Sequence, residues 1–204
     1  MFLNTLFANP IFFFRYVVII IISISLHELA HGFAAINQGD DTPEKTGHIT
    51  LNPVVHMGVG SIIFLCIAGI SWGQMPINPY KFRNGRMSDI LVSAAGPLSN
   101  LVLGFVFILL LLLFYDSKFL SIEFLYLAAR VNLTLFLFNI LPIPPLDGFK
   151  IFSNMFTGLK GLQGSQLAIF VLIILFLIPG FSGGLLMISD SIIRTFIEFR
   201  FATF

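Results

Sequence analysis

The chain has 204 residues, of which 57% are hydrophobic and 10% charged, where a soluble globular domain carries about 25% charge. Mean hydropathy is +0.96, and phenylalanine alone supplies 25 residues. These values exclude a soluble domain and a disordered chain, and a formal net charge of +1 is too small for a nucleic-acid footprint. What remains is a polytopic protein of the lipid bilayer, with room for roughly four to six crossings at about 20 residues each. The single cysteine, Cys66, rules out a disulfide within the chain.

The N-terminus does not read as a cleavable leader. Its first positive charge is Arg15, and no small-residue cleavage site follows the apolar stretch. Segment A is predicted from about Ile11 to Ile36, between Pro10 and the polar run Asn37-Gln38-Gly39-Asp40-Asp41. The stretch Gly47-His48-Ile49-Thr50-Leu51 alternates and predicts a short strand, stopped by Asn52-Pro53. Segment B, about Gly58 to Ile70, is apolar but reaches only about 20 Å as a helix against a hydrocarbon core of about 30 Å. It reads as re-entrant. Residues 71–88 are Pro-rich and read as extended.

Segment C, about Asp89 to Phe114, and segment D, about Ile122 to Leu141, are predicted spans, D ending at Pro142-Ile143-Pro144-Pro145. Segment E follows at Leu167 to Ile178, and the tail from Leu185 is a sixth span or an interfacial helix. The expected fold is therefore an all-α polytopic membrane protein. It has about five to six transmembrane helices, a re-entrant segment, and short β-strand elements between the first two core helices. No repeat or linker divides it, so residues 1–204 read as a single domain.

Chemistry concentrates in His27-Glu28-Leu29-Ala30-His31. Histidines four apart share one helix face, about 6 Å apart along the axis, so both imidazoles can reach one metal ion. Glu28 lies about 100° round the helix, where its carboxylate can serve as a base without being a ligand. Ionisable groups inside a span are costly and point to function. The bland alternative is a polar cluster joining two helices, but three ionisable groups in five residues are hard to satisfy without a cation. Tetrahedral zinc then needs one more protein ligand. A third histidine in the extended form of the motif is missing, since Asn37 stands at its position. Asp40, Asp41 and Glu44 lie beyond the helix end, while Asp89, Glu123, Asp190 and Glu198 have no special backbone. Asp147 is the best candidate, because three prolines end segment D and Gly148 follows. Alone, Pro-Leu-Asp-Gly is an ordinary turn.

His27-Glu28-Leu29-Ala30-His31-Gly32, followed by Asn139-x-x-Pro142-x-Pro144-x-Leu146-Asp147-Gly148, resembles the site-2 protease family of intramembrane zinc metalloproteases. Leu51-Asn52-Pro53-x-x-His56, Pro76-x-Asn78-Pro79-Tyr80-x-Phe82-Arg83 and Ala95-Gly96-Pro97-Leu98-Ser99-Asn100 are similar to a compact bacterial branch without PDZ or CBS modules. The resemblance spans about residues 20–150. It implies zinc (Zn2+) held by His27, His31 and Asp147, Glu28 as catalytic base, and cleavage of transmembrane protein or peptide substrates. One departure is Gly58, where the branch usually carries an acid.

Asn139 is a candidate donor to the substrate carbonyl or oxyanion, or else an interhelical hydrogen bond. Asn100 and Ala94-Ala95-Gly96 suit close helix packing, and His56 reads as structural. A metal transporter or sensor would need polar groups in several spans, yet segments C and E lack an interior acid or histidine. A non-catalytic metal-binding scaffold gains nothing from Glu28. If one metal joins A and D, the two run the same way, and loops 37–88 and 142–165 share a face. Those loops carry six of the eleven basic residues, which predicts a cytoplasmic active-site face of a bacterial inner membrane and an external N-terminus. Residues 71–82 are expected to clamp an extended substrate.

Overall fold

The computed structural model describes residues 1–115, 121–162, 170–171, 174–175 and 178–202. These fall into two compact units, Met1–Ser99 and Asn100–Phe204, which are described separately. Segment E lies largely outside the described residues.

In the first unit a five-residue helix α1 (Asn4–Ala8) precedes α2 (Pro10–Asn37). Pro10 opens α2, where a missing amide costs nothing, and the Asn9 side chain accepts from the Phe12 amide at 3.0 Å. Its 28 residues extend about 42 Å, longer than the hydrocarbon core. A one-turn helix α3 (Thr42–Lys45) follows. Hydrogen bonds from Lys45 and then Lys81 hold the exposed Asp41 carboxyl down to about 2, and Asp41 in turn raises Lys45.

No strand forms among the described residues, which corrects the expectation for 47–51. A strand needs a partner ladder, and none is beside it. The Thr50 carbonyl instead accepts from His56 Nε2 at 2.7 Å. Helix α4 (Pro53–Ala68) is capped by Asn52, which accepts from the Val54 amide. Its 16 residues span about 24 Å, too short to cross. Gly58 interrupts it at φ 70° and ψ 158°, a conformation that a β-carbon strongly disfavours. That geometry accounts for glycine at the position where an acid was expected.

Helix α5 (Arg86–Leu113) begins where α2 ends. The Gln38 carbonyl accepts from the Arg83 amide at 2.9 Å, and Ser88 Oγ donates to Gln38 Oε1 at 2.8 Å. Ala35, Phe82 and Val92 form a buried cluster just above. The two helices therefore run antiparallel, and the whole stretch between them returns to the end it left.

In the second unit, the remainder of α5 packs with α6 (Ile122–Asn139) and α8 (Phe181–Ala202). Ile108, Leu111, Leu125, Ala129, Leu133 and Ile193 form its core. Gly104 lets Leu133 approach, since a β-carbon there would lie 2.8 Å from Leu133 Cδ2. The sequence reading left α8 undecided between a span and an interfacial helix. Its acid turns inward: Asp190 accepts from Tyr126 Oη at 2.9 Å and pairs with Arg130 at 2.9 Å, while Ser189 meets Thr134 at 2.9 Å. A short helix α7 (Asp147–Met155) lies between α6 and α8 in sequence. Among the described residues three helices, α2, α5 and α6, are long and apolar enough to cross a membrane.

Candidate active site

The first unit assembles most of the chemistry. His27, Glu28 and His31 are all buried, in the second half of α2 and about 9–15 Å from its end by helix rise. The helix brings the two histidines together as their spacing predicts, with Nε2 atoms 3.1 Å apart. The Nδ1 atom of His31 lies 2.7 Å from the Val92 carbonyl on α5. A carbonyl only accepts, so Nδ1 carries a proton, and Nε2 is the nitrogen turned towards His27. Two imidazole nitrogens at this separation could supply two of the four ligands of a tetrahedral zinc ion.

Space for an ion comes from α5. A β-carbon at Gly96 would lie 2.5 Å from His27 Nε2 and collide with His31 Nε2 as well. Glycine thus leaves a cradle over both donors, and Pro97 behind it, buried within α5, removes the amide that would bond the Ser93 carbonyl. The sequence reading assigned Ala94-Ala95-Gly96 to helix packing. The packing is real, but what Gly96 packs against is the pair of Nε2 atoms of His27 and His31.

A second glycine works in the same way. A β-carbon at Gly73 would lie 2.5 Å from Glu28 Oε1, so the chain after α4 passes directly over the carboxylate. That contact was not read from the sequence. Gly73 lies in residues 71–78, which form neither helix nor strand, whereas the rest of the stretch expected to be extended holds a 3-10 turn at Pro79–Lys81 and the start of α5 at Arg86. His56 is fully buried and serves this segment through its carbonyl, which accepts from the Gln74 amide at 2.9 Å.

The second unit holds the remaining candidates. Asp147 is buried and is the first residue of α7, with Lys150 Nζ 3.1 Å from its Oδ1. Residues 140–146 are turns and bends, as three prolines require. Gly148 does not turn the chain through a positive φ. It makes room, because a β-carbon would collide with the Ile140 carbonyl. Asn139 closes α6 and donates one amide hydrogen to the Leu135 carbonyl of its own helix at 3.0 Å. Asn100 bonds Asn132 at 3.1 Å, confirming its packing role.

Residues 115–179 match the model of peptidase family M50. The chain is 38% identical over 183 residues to YwhC of Bacillus subtilis, covering 83% of this chain and 84% of that one. It is 28% identical over 176 residues to Rip2 of Mycobacterium tuberculosis, covering 80% of this chain and 66% of that one. Both relatives are named as zinc metalloproteases. No solved structure matches the chain. With two histidines converging under Gly96 and a compact relative aligned along most of its length, the chain belongs to peptidase family M50, the site-2 protease family of zinc metalloproteases.

Proposed function

We propose that this metalloprotease hydrolyses peptide bonds in or near the transmembrane segments of membrane proteins. One observation carries the reading. His27, Glu28 and His31 are buried within an apolar 28-residue helix, so the chemistry lies at bilayer depth, where only a membrane-embedded substrate delivers a peptide. Residues 1–204 act as one membrane domain in this reading.

His27 and His31 would hold zinc through Nε2, and we assign the third protein ligand to Asp147. Its burial and its hard oxygen donors suit that role. Zinc when bound supplies a Lewis acid that polarises the substrate carbonyl and acidifies water. Glu28 takes the proton from the attacking water and passes it to the leaving amine. Asn139 has a second amide hydrogen to offer a carbonyl oxygen developing negative charge. Residues 72–78 hold the substrate as an added strand. The basic loops put the active site nearer the cytoplasmic face of a bacterial membrane.

The test compares membrane proteomes of cells carrying the wild-type chain and Glu28→Gln. Transmembrane fragments present only with the wild type support the reading. Identical fragment patterns, with soluble peptides cleaved by the purified wild type, would assign the enzyme to substrates outside the membrane.

A further inference from the structure

Residues 72–78 are gripped along one edge. Ser61 of α4 accepts from the Trp72 amide at 2.9 Å and donates to the Trp72 carbonyl at 2.7 Å. The His56 carbonyl accepts from the Gln74 amide at 2.9 Å, and Asp40 Oδ2 accepts from the Asn78 amide at 2.6 Å. Every gripped residue is even-numbered, and Pro76 has no amide. Extended chain turns successive backbone groups to opposite sides, so the odd-numbered residues face the other way. Among the described residues nothing bonds the backbone of Gly73, Met75 or Ile77.

The odd side chains face α2 in order. The Gly73 Cα lies over Glu28, the Met75 thioether lies against Gly32, and Ile77 joins the cluster around Ala35. This register is specific. Advancing the segment by one residue would exchange the filled edge for the open one. Advancing it by two would bring the Met75 side chain onto Glu28, where even a methyl group does not fit.

We infer that Ser61 is a positioning residue for hydrolysis: by gripping both backbone polar atoms of Trp72 it fixes the register of the open edge against Glu28, and so selects which substrate bond is offered. A hydroxyl suits the task because it donates and accepts at once. Ser61 is 1% exposed in the apolar second half of α4, where an unbonded hydroxyl would be costly. The inference rests on the intramembrane protease reading above.

The experiment uses the full chain in detergent with zinc measured, as wild type, Ser61→Ala and Ser61→Thr. The probe is a single-span model protein with Gly-Pro at the centre of an apolar helix. Ser61→Ala should keep its zinc, exchange the Trp72 amide about tenfold faster, and lose about tenfold in kcat/KM, as expected for one hydrogen-bonding group. Its cleavage products, read by mass spectrometry, should spread from one bond to the neighbouring bonds, because a loosened edge no longer holds the substrate at one height beside Glu28. Ser61→Thr should restore the single cut. A Ser61→Ala enzyme with an unmoved single cut, or with a Trp72 amide still protected, overturns the inference. If Ser61→Ala does not fold, Gln74→Pro removes another grip at an exposed position, and an unmoved cut there overturns it equally. A zinc-loaded wild type that leaves the probe intact overturns the protease reading, whereas Trp72 exchange tests the grip by itself.

Discussion

His31 donates through Nδ1 to the carbonyl of Val92, one turn before Gly96 passes over the His27 and His31 Nε2 atoms. Helix α5 therefore both sets the tautomer of His31 and keeps the space over both Nε2 atoms clear of a β-carbon. Replacing Gly96 with Ala tests this. In an ordinary helix interior the change stabilises by about 1 kcal/mol. Here the added methyl occupies the cradle, so the expected outcome reverses: zinc affinity falls at least about tenfold, in the range of perturbed metal surroundings. Competition with a chromophoric chelator measures it. Unchanged zinc affinity in Gly96→Ala would remove the cradle from the account.

The roles assigned to the site residues separate by metal content. Glu28→Gln should retain zinc and lose activity by about 10²- to 10⁴-fold, the scale of a general base. His31→Ala and Asp147→Ala should lose zinc and activity together. Elemental analysis of purified variants decides between ligand and base, and full zinc retention in Asp147→Ala would end its assignment as a ligand.

Much of this site was legible because its logic is local. Histidines four apart on a helix face one another whatever the surroundings, and three prolines must end α6. What a local pattern does not carry is the content of the space between elements. Gly96 and Gly73 read as packing and loop residues, and only the neighbouring helix reveals that each makes room for a functional atom. The strand expected at 47–51 failed for a similar reason, since alternation describes a face but supplies no partner. Arg130 shows the limit from the other side: its position inside a span asks for a counterion, but Asp190 lies sixty residues further on.

The connection between α2 and α5 returns to its starting end, since Gln38 bonds both Arg83 and Ser88. Single cysteines at the exposed Glu44 and Asn84, in a Cys66→Ser background, should therefore be labelled by an impermeant maleimide from the same side of the membrane. Labelling from opposite sides would require α4 to cross and would dismantle the topology of the first unit.

The Arg130–Asp190 pair carries a stability prediction for the second unit. The arginine side chain is 33% exposed and the aspartate 20%, so losing one partner should cost somewhat less than the roughly 3–5 kcal/mol of a fully buried pair. Arg130→Met alone should destabilise by about 2–3 kcal/mol on that basis. Combining it with Asp190→Leu should recover more than half, because the orphaned carboxylate disappears. Unfolding of the detergent-solubilised variants measures both, and a double variant no better than the single would deny the pair any coupling.

Substrate choice follows from the open edge at Gly73, Met75 and Ile77. A transmembrane helix spends every carbonyl on its own hydrogen bonds, and water is absent to replace them. No peptide bond reaches Glu28 until the helix unwinds locally, and the unwound stretch then needs partners for its exposed amides. In the proposed reading the open edge would supply them without demanding particular side chains. Cleavage should accordingly depend on how readily the substrate helix breaks. Glycine weakens a helix interior by about 1 kcal/mol and proline by about 3 kcal/mol. Replacing a Gly-Pro pair near the cut with Leu-Leu should slow hydrolysis by up to about 10³-fold, the rate equivalent of their combined roughly 4 kcal/mol. Zinc content and binding of the intact helix should not change. Cleavage of a uniformly leucine-rich helix at an undiminished rate would show that unwinding is not the barrier, and an added strand would then have no part in presenting the substrate.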